Sequence, residues 1–367
     1  MNKLDSYIDF SSVDLISSVK APLHWDEDKT KQFVTACKTM AVFHASFCPE
    51  IKALYHKKRF DPDSIQTEAD IARIPWLGVS AMKSFLFLSL PEERLALRLT
   101  SSGTRGQKTQ IWMDHESLAR AQKMLDVLWE QEGLISSELT NYLMFVYDPD
   151  SAKDLGVAFS DKNQQRFAPI ARSFYTVQQD KHAQWAFLKE KTLLTLCEFE
   201  KEGKPVRIFG IPAFLYEFLR DLKQSFKLNP QSLVMTGGGW KAAEDKKVSR
   251  EEFRQMITEK ISIPDFRIRD GYGMAEHCAS YMDCRMHRFH VPAYNRVFVP
   301  GEIGLLELVT PFNTMMPNLA ILTTDLGYLD PVACNCGWKS PTFTLVGRGG
   351  LTKHKGCAIT ADEIIKR

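Results

Sequence analysis

The run Thr100-Ser101-Ser102-Gly103-Thr104-Arg105-Gly106-Gln107-Lys108 gathers hydroxyls, two glycines and two cations into one short stretch. Successive backbone N–H groups in such a turn form a concavity that suits anions. The hydroxyls add donors, and Arg105 or Lys108 offsets the charge of a phosphate chain. The run is not a P-loop, because that motif needs glycine where Gln107 stands. Taken alone it reads more readily as a polar glycine turn. A second stretch, Asp270-Gly271-Tyr272-Gly273-Met274-Ala275-Glu276-His277, offers glycines that let backbone approach a flat base, a stacking face at Tyr272 and a carboxylate oxygen at Glu276 for Mg2+. Its plain alternative is a tight turn with a surface carboxylate. Asp325, in Thr323-Thr324-Asp325-Leu326-Gly327, has the chemistry to bind ribose hydroxyls or merely to cap a turn, and Arg348 in Gly347-Arg348-Gly349-Gly350 says little by itself.

Sulfur chemistry is concentrated late in the chain. Five of the eight cysteines, 278, 284, 334, 336 and 357, follow residue 277. Cys284-x5-His290 together with Cys334-x-Cys336 supplies four soft or borderline donors, the set that tetrahedral zinc prefers. His277, Cys278 and His287 are substitutes for any of the four, and all of them read equally as ordinary residues. Cys357 is flanked by Lys353, His354 and Lys355, whose charge favours a thiolate. Composition alone would make it an unremarkable cysteine; as a thiolate it would be a nucleophile.

These residues need strands and turns to hold them. Leu95, Leu97 and Leu99 alternate as a strand should, leading directly into Ser101. Asp114 is placed to cap a helix with apolar positions at Leu118, Ala121, Leu125 and Leu128, and Gly133 to end it. Strands follow at Tyr142–Tyr147, Val206–Phe209 and Leu233–Met235, with helices over Ala213–Lys223 and after the capping box of Ser249 and Glu252. A strand at Phe266–Arg269 would put Asp270 at its carboxyl end, where ligands bind in α/β sheets. Gly237-Gly238-Gly239-Trp240 likewise follows a strand. Beyond residue 291 the candidates are strands: Gly304–Val309, Leu319–Thr324 and Thr342–Val346. The fold class is therefore α/β with a strand-rich subdomain. The divisions are a helical first part at 1–90, an α/β nucleotide-binding core at 91–290, the strand-rich part at 291–346 and a tail at 347–367 that presents Cys357.

Charge and hydropathy restrict the partners. With 47 Lys plus Arg against 45 Asp plus Glu, the net charge is +2 over 367 residues, so no general attraction draws the chain to nucleic acid or an anionic membrane. The amino terminus lacks the apolar run of a signal peptide, no stretch is long enough to span a bilayer, and the sparse cysteines suit a reducing compartment. A soluble, cytoplasmic protein is expected.

The order and spacing of these motifs resemble the adenylate-forming acyl and aryl ligases over nearly the whole chain. That family has a Ser/Thr/Gly-rich phosphate loop ending in lysine, a Y-G-x-[TS]-E block, a T-G-D block and a Gly-Arg hinge. Here they read as Ser101–Lys108, Tyr272–Glu276, Thr324-Asp325 and Gly347-Arg348. Arg105, Ala275 and Thr324 depart from the family's usual residues. The resemblance implies ATP and Mg2+ as cofactors. It assigns the phosphates to Ser101, Ser102, Gly103, Thr104, Arg105 and Lys108, the metal to Glu276 and the adenine to Gly237, Gly238, Gly239, Asp270, Gly271, Tyr272 and Gly273. Asp325 takes the ribose, and Arg348 binds nucleotide while marking the hinge. Only 19 residues follow Arg348, fewer than the small carboxyl-terminal domain of typical members. The segment around Cys357 looks instead like that of LuxE-type acyl-protein synthetases, in which such a cysteine accepts the acyl group. That implies activation of a long-chain fatty acid, a thioester on Cys357, and a fatty-acid reductase subunit as the partner that receives it for bioluminescence. Phenylacetate-CoA-ligase-like relatives, some with a structural zinc on a similar Cys/His set, keep a CoA ligase as the alternative. A non-catalytic nucleotide-binding scaffold is the second. Phe85–Leu88, Trp112, Trp129, Phe214 and Tyr216 are candidates for an acyl channel or for core.

Overall fold

The computed structural model describes residues 8–100, 109–149, 165–180, 182, 184–240 and 248–349. Its first part is helical: α1 (Ser11–Ser17), α2 (Glu27–Phe47), α3 (Pro49–Lys58) and α4 (Glu68–Ile71) precede a short strand β1 (Leu77–Gly78) and α5 (Val79–Ser84). Asp26 caps α2 by accepting from the Lys29 N–H, a contact that contributes about 1 kcal/mol. Phe33, Cys37, Met40 and His44, three or four residues apart, make its buried stripe. Next, β2 (Leu97–Thr100) pairs antiparallel with β3 (Gln110–Met113), and Thr100 faces Gln110 across the pair. Asp114 then caps α6 (His115–Gln131), its carboxylate accepting from the Ser117 N–H at 2.9 Å.

The α/β unit that follows runs β4 (Thr140–Tyr147), β5 (Ile170–Gln179), β6 (Trp185–Phe187), α7 (Lys189–Glu202), β7 (Val206–Gly210), α8 (Pro212–Asp221), β8 (Leu233–Gly237), α9 (Arg250–Ile261), β9 (Ile268–Gly273) and β10 (Ser280–Met282). The strands form one sheet in the order β10-β9-β8-β7-β4-β5-β6, parallel through its middle with antiparallel strands at both edges. All eight residues of β4 are buried, the mark of a parallel strand covered on both faces. Gly210 is obligatory at the end of β7: its φ is +141°, and an added Cβ would lie 2.4 Å from the Phe145 carbonyl oxygen. Ser249 and Glu252 form a reciprocal capping box at the start of α9.

A second sheet is built from β11 (Phe289–His290), β12 (Arg296–Phe298), β13 (Gly304–Val309), β14 (Ala320–Leu329) and β15 (Thr342–Arg348), in the order β11-β15-β14-β13-β12, with β1 parallel to β14. One core fills the α/β sheet and its helices. Another joins the amino-terminal helices to Val309, Phe312, Met315 and Ile321, and a third lies between Tyr281, Phe289, Leu306, Leu308 and Phe343. Among the described residues, no helix is long and apolar enough to cross a membrane.

Three local expectations are corrected. Residues 265–267 form a single 3-10 turn, and the strand starts at Ile268 and runs through Asp270–Gly273 instead of stopping before them. Pairing with β10 on one side and β8 on the other keeps this glycine-rich stretch extended. Asp325 lies inside β14 instead of after a strand, because β14 continues past Thr324 through a bulge at Leu326–Gly327. Arg348 is the last residue of β15 instead of a loop residue beyond it.

Candidate functional site

The carboxyl ends of β8 and β9 lie side by side, with Gly237 paired to Gly271. Gly238 and Gly239 follow with φ of +79° and +68°, a left-handed turn that keeps side chains away from this edge. Asp270 is held from two directions. Its N–H donates to Asp283 Oδ1 at 2.8 Å, and its Oδ2 lies 3.1 Å from Arg250 Nη2. The Asp270 side chain is 28 % exposed, yet burial raises its pKa to about 7 against the opposing pull of Arg250.

Tyr272, Asp325 and Arg348 meet between the two sheets. The Tyr272 hydroxyl donates to Asp325 Oδ2 at 2.9 Å, and Arg348 Nε donates to Asp325 Oδ1 at 3.2 Å. The Tyr272 ring packs near Tyr281, Phe289 and Phe343, with centroids 5.8–6.2 Å away. Burial, and after it the Asp325 charge, raises the phenol pKa. Glu276 is buried at 5 % exposure. Thr109 Oγ1 donates to its Oε1 at 2.7 Å, and Asn318 Nδ2 donates to its carbonyl at 2.9 Å. Thr109 directly follows Lys108 in the chain. A hydrogen bond to a charged carboxylate of this kind is worth about 1.5–3 kcal/mol. Among the described residues Oε2 of Glu276 makes no hydrogen bond, which leaves one hard oxygen donor for a cation.

The soft donors also converge. The ligand atoms of Cys284, His290, Cys334 and Cys336 all lie within 4.8 Å of one another. Cys284 Sγ is 3.6 Å from Cys334 Sγ, and Cys336 Sγ is 3.2 Å from His290 Nε2. With metal–ligand bonds of about 2.0–2.3 Å, a zinc tetrahedron has edges of this order. The N–H groups of Met286 and Trp338 donate to Cys284 Sγ and Cys336 Sγ at 3.3 and 3.4 Å. His290 Nδ1 lies 2.9 Å from Ser340 Oγ, which fixes the ring so that Nε2 faces the sulfurs. Burial lowers the His290 pKa to about 4, so the imidazole is neutral, as a ligand must be. The substitutes lie elsewhere: His277 bonds Tyr281, Cys278 donates to the Ala275 carbonyl, and His287 pairs with Asp265.

Ser101, Ser102, Gly103, Thr104, Arg105, Lys108 and Cys357 lie outside the described residues. Of the acyl-channel candidates, Trp112, Trp129 and Phe214 are buried in the cores and Tyr216 packs against one, whereas Phe85 is 65 % exposed. Thr109, Asn318 and Arg250 were not singled out in the sequence. Only Thr109 carried a signal, its position next to Lys108.

A family model described as "Acyl-protein synthetase, LuxE" matches residues 4–365. The chain belongs to the LuxE acyl-protein synthetase family. This LuxE-family chain is therefore a ligase. It is 24 % identical over 380 residues to the long-chain-fatty-acid–luciferin-component ligase of Aliivibrio fischeri, covering 100 % of this chain and 97 % of that one. It is also 24 % identical over 309 residues to the ligase of the same description from Vibrio harveyi, covering 80 % and 79 %. Among solved structures it is similar to 2-hydroxyisobutyryl-CoA ligase in an open conformation with 2-HIB-AMP and CoA. The TM-score is 0.65 at 13 % identity, over 95 % of this chain and 81 % of that one. The same ligase in its postadenylation state with 2-HIB-AMP gives 0.65 at 12 % identity, over 95 % and 73 %. The LuxE-family chain thus has the large-domain fold of adenylate-forming ligases.

Proposed function

We propose that the protein uses ATP to convert a long-chain fatty acid to its acyl-adenylate, takes the acyl group onto Cys357 as a thioester, and passes it to a fatty-acid reductase partner. The reading rests chiefly on the family match over residues 4–365, a span that includes Lys108, Glu276, Asp325, Arg348 and Cys357. In the first step a carboxylate oxygen attacks the α-phosphorus of ATP and pyrophosphate leaves. The protein's task there is positioning and charge stabilisation.

Gly237–Gly239 and Asp270–Gly273 would receive the adenine, and Asp325 the ribose hydroxyls, with Tyr272 and Arg348 orienting its two oxygens. Ser101, Ser102, Gly103, Thr104, Arg105 and Lys108 would bind the phosphates. Glu276, held by Thr109, would present its free oxygen to Mg2+, which when bound neutralises phosphate charge. In the second step the Cys357 thiolate attacks the acyl carbon, a C–S bond forms and AMP departs with the C–O bonding pair. The Cys284, His290, Cys334 and Cys336 set would hold a structural Zn2+.

The test is intact-protein mass after incubation with Mg-ATP and tetradecanoic acid, for the wild type and Cys357→Ser, with and without hydroxylamine. A fatty-acyl gain that hydroxylamine removes and the variant lacks is expected. The likeness to a CoA ligase supports a second reading. Adenylate formation with coenzyme A consumed and no acyl gain on the protein would favour it.

A further inference from the structure

The amino ends of the central strands border a polar cavity, at the strand ends opposite to Gly237–Gly239 and Gly273. Its volume is about 260 Å3, and Ser136, Ser137, Arg207, Gln231 and Arg267 are among the residues that line it. Arg207, on β7, is 4 % exposed. Its Nη2 donates to the Leu134 carbonyl, while Nη1 is buried with no hydrogen-bond partner. The nearby Tyr142 hydroxyl donates toward the carbonyls of Gln165 and Ala168, and its oxygen faces the Arg207 guanidinium as an acceptor. Arg267 Nε and Nη2 donate to the carbonyls of Ser232 and Gln231 at 2.8 and 2.7 Å. Among the described residues neither arginine forms an ion pair. The exposed Glu138 also borders the cavity without pairing with either.

Two neighbouring guanidiniums that line one polar cavity with no ion-pair partner among the described residues are costly unless an anion offsets them. Here burial lowers the Arg207 pKa, and the Arg267 charge adds to that effect. Guanidinium forks match phosphate oxygens in both geometry and charge. The volume falls below the roughly 300–1,000 Å3 of pockets that take drug-sized ligands. A space of that size matches a small ion or phosphomonoester better than a whole nucleotide.

We propose that this cavity is a binding site for a phosphate group, separate from the nucleotide site, with Arg207 and Arg267 as its ligands. The group is either inorganic phosphate or the head of a small phosphomonoester. The test titrates inorganic phosphate, and separately phosphoethanolamine, into the full chain by calorimetry at fixed ionic strength. Wild type, Arg267→Gln and Lys108→Ala are compared, their folding verified by circular dichroism. One saturable site is expected, weakened about tenfold or more by Arg267→Gln and retained in Lys108→Ala. The tighter of the two titrants identifies the source of the phosphate. No saturable binding in either arm, or binding that Arg267→Gln leaves intact, overturns the proposal.

Discussion

Glu307 lies on β13 between Phe298 of β12 and Leu322 of β14, and its Oε1 is buried with no hydrogen-bond partner. Burial raises its pKa to about 7. Folding therefore favours the protonated acid. The stability this confers is fully present below the ordinary glutamate value and is lost as pH climbs through about 7. Glu307→Gln, which keeps the shape and cannot ionise, is expected to melt close to the wild type near pH 5 and progressively higher than it toward about pH 8. A melting difference that stays constant across that range would contradict the assignment. Tyr272, Glu276, Asp325 and Arg348 could be singled out in the sequence because each belongs to a short local pattern. The hydroxyl that holds Glu276 could not be found that way, since Thr109 and Glu276 are 167 residues apart and no periodicity records such a contact. The same is true of Arg250 beside Asp270.

At the scale of elements, the Cys/His cluster joins two connections. Cys284 follows β10 and His290 is in β11, while Cys334 and Cys336 lie between β14 and β15. A metal there would clamp the edge of the α/β sheet to the second sheet, and its binding energy would count toward folding. The purified protein is expected to contain about one zinc per chain. Cys334→Ser is expected to lose most of it and to melt several degrees lower, by metal analysis and thermal unfolding. Full zinc content in that variant would rule the cluster out as the site. Several elements with enough residues to show a period were legible: β4, β13, the helix after Asp114 and the capping box at Ser249 all lie where the pattern placed them, whereas the ten-residue β5 and the fourteen-residue α7 were not foreseen. Strands β10, β11 and β12 were not, because two or three residues cannot express an alternation. The motif segments at Asp270 and Asp325 were read as turns from their glycines, and ladder hydrogen bonds from neighbouring strands overrode that preference.

At the scale of the whole molecule, the α/β sheet presents different chemistry at the two ends of its strands, glycine turns and Asp270 toward the carboxyl ends, Arg207 and Arg267 at the amino ends. The second sheet supplies Asp325 and Arg348, so the candidate nucleotide site exists only where both sheets meet. Because Arg348 ends β15 and bonds Asp325, the chain beyond it is rooted at that site. Cys357 comes nine residues later, and nine residues span at most about 30 Å. On the proposed function, a thiol tethered within that radius would meet an adenylate held at Asp325 at a local concentration on the order of millimolar, whatever the bulk concentration. Self-acylation should therefore be indifferent to dilution: its rate per molecule should stay constant as the protein is diluted about a hundredfold. A rate that falls in proportion would mean that one copy acylates another.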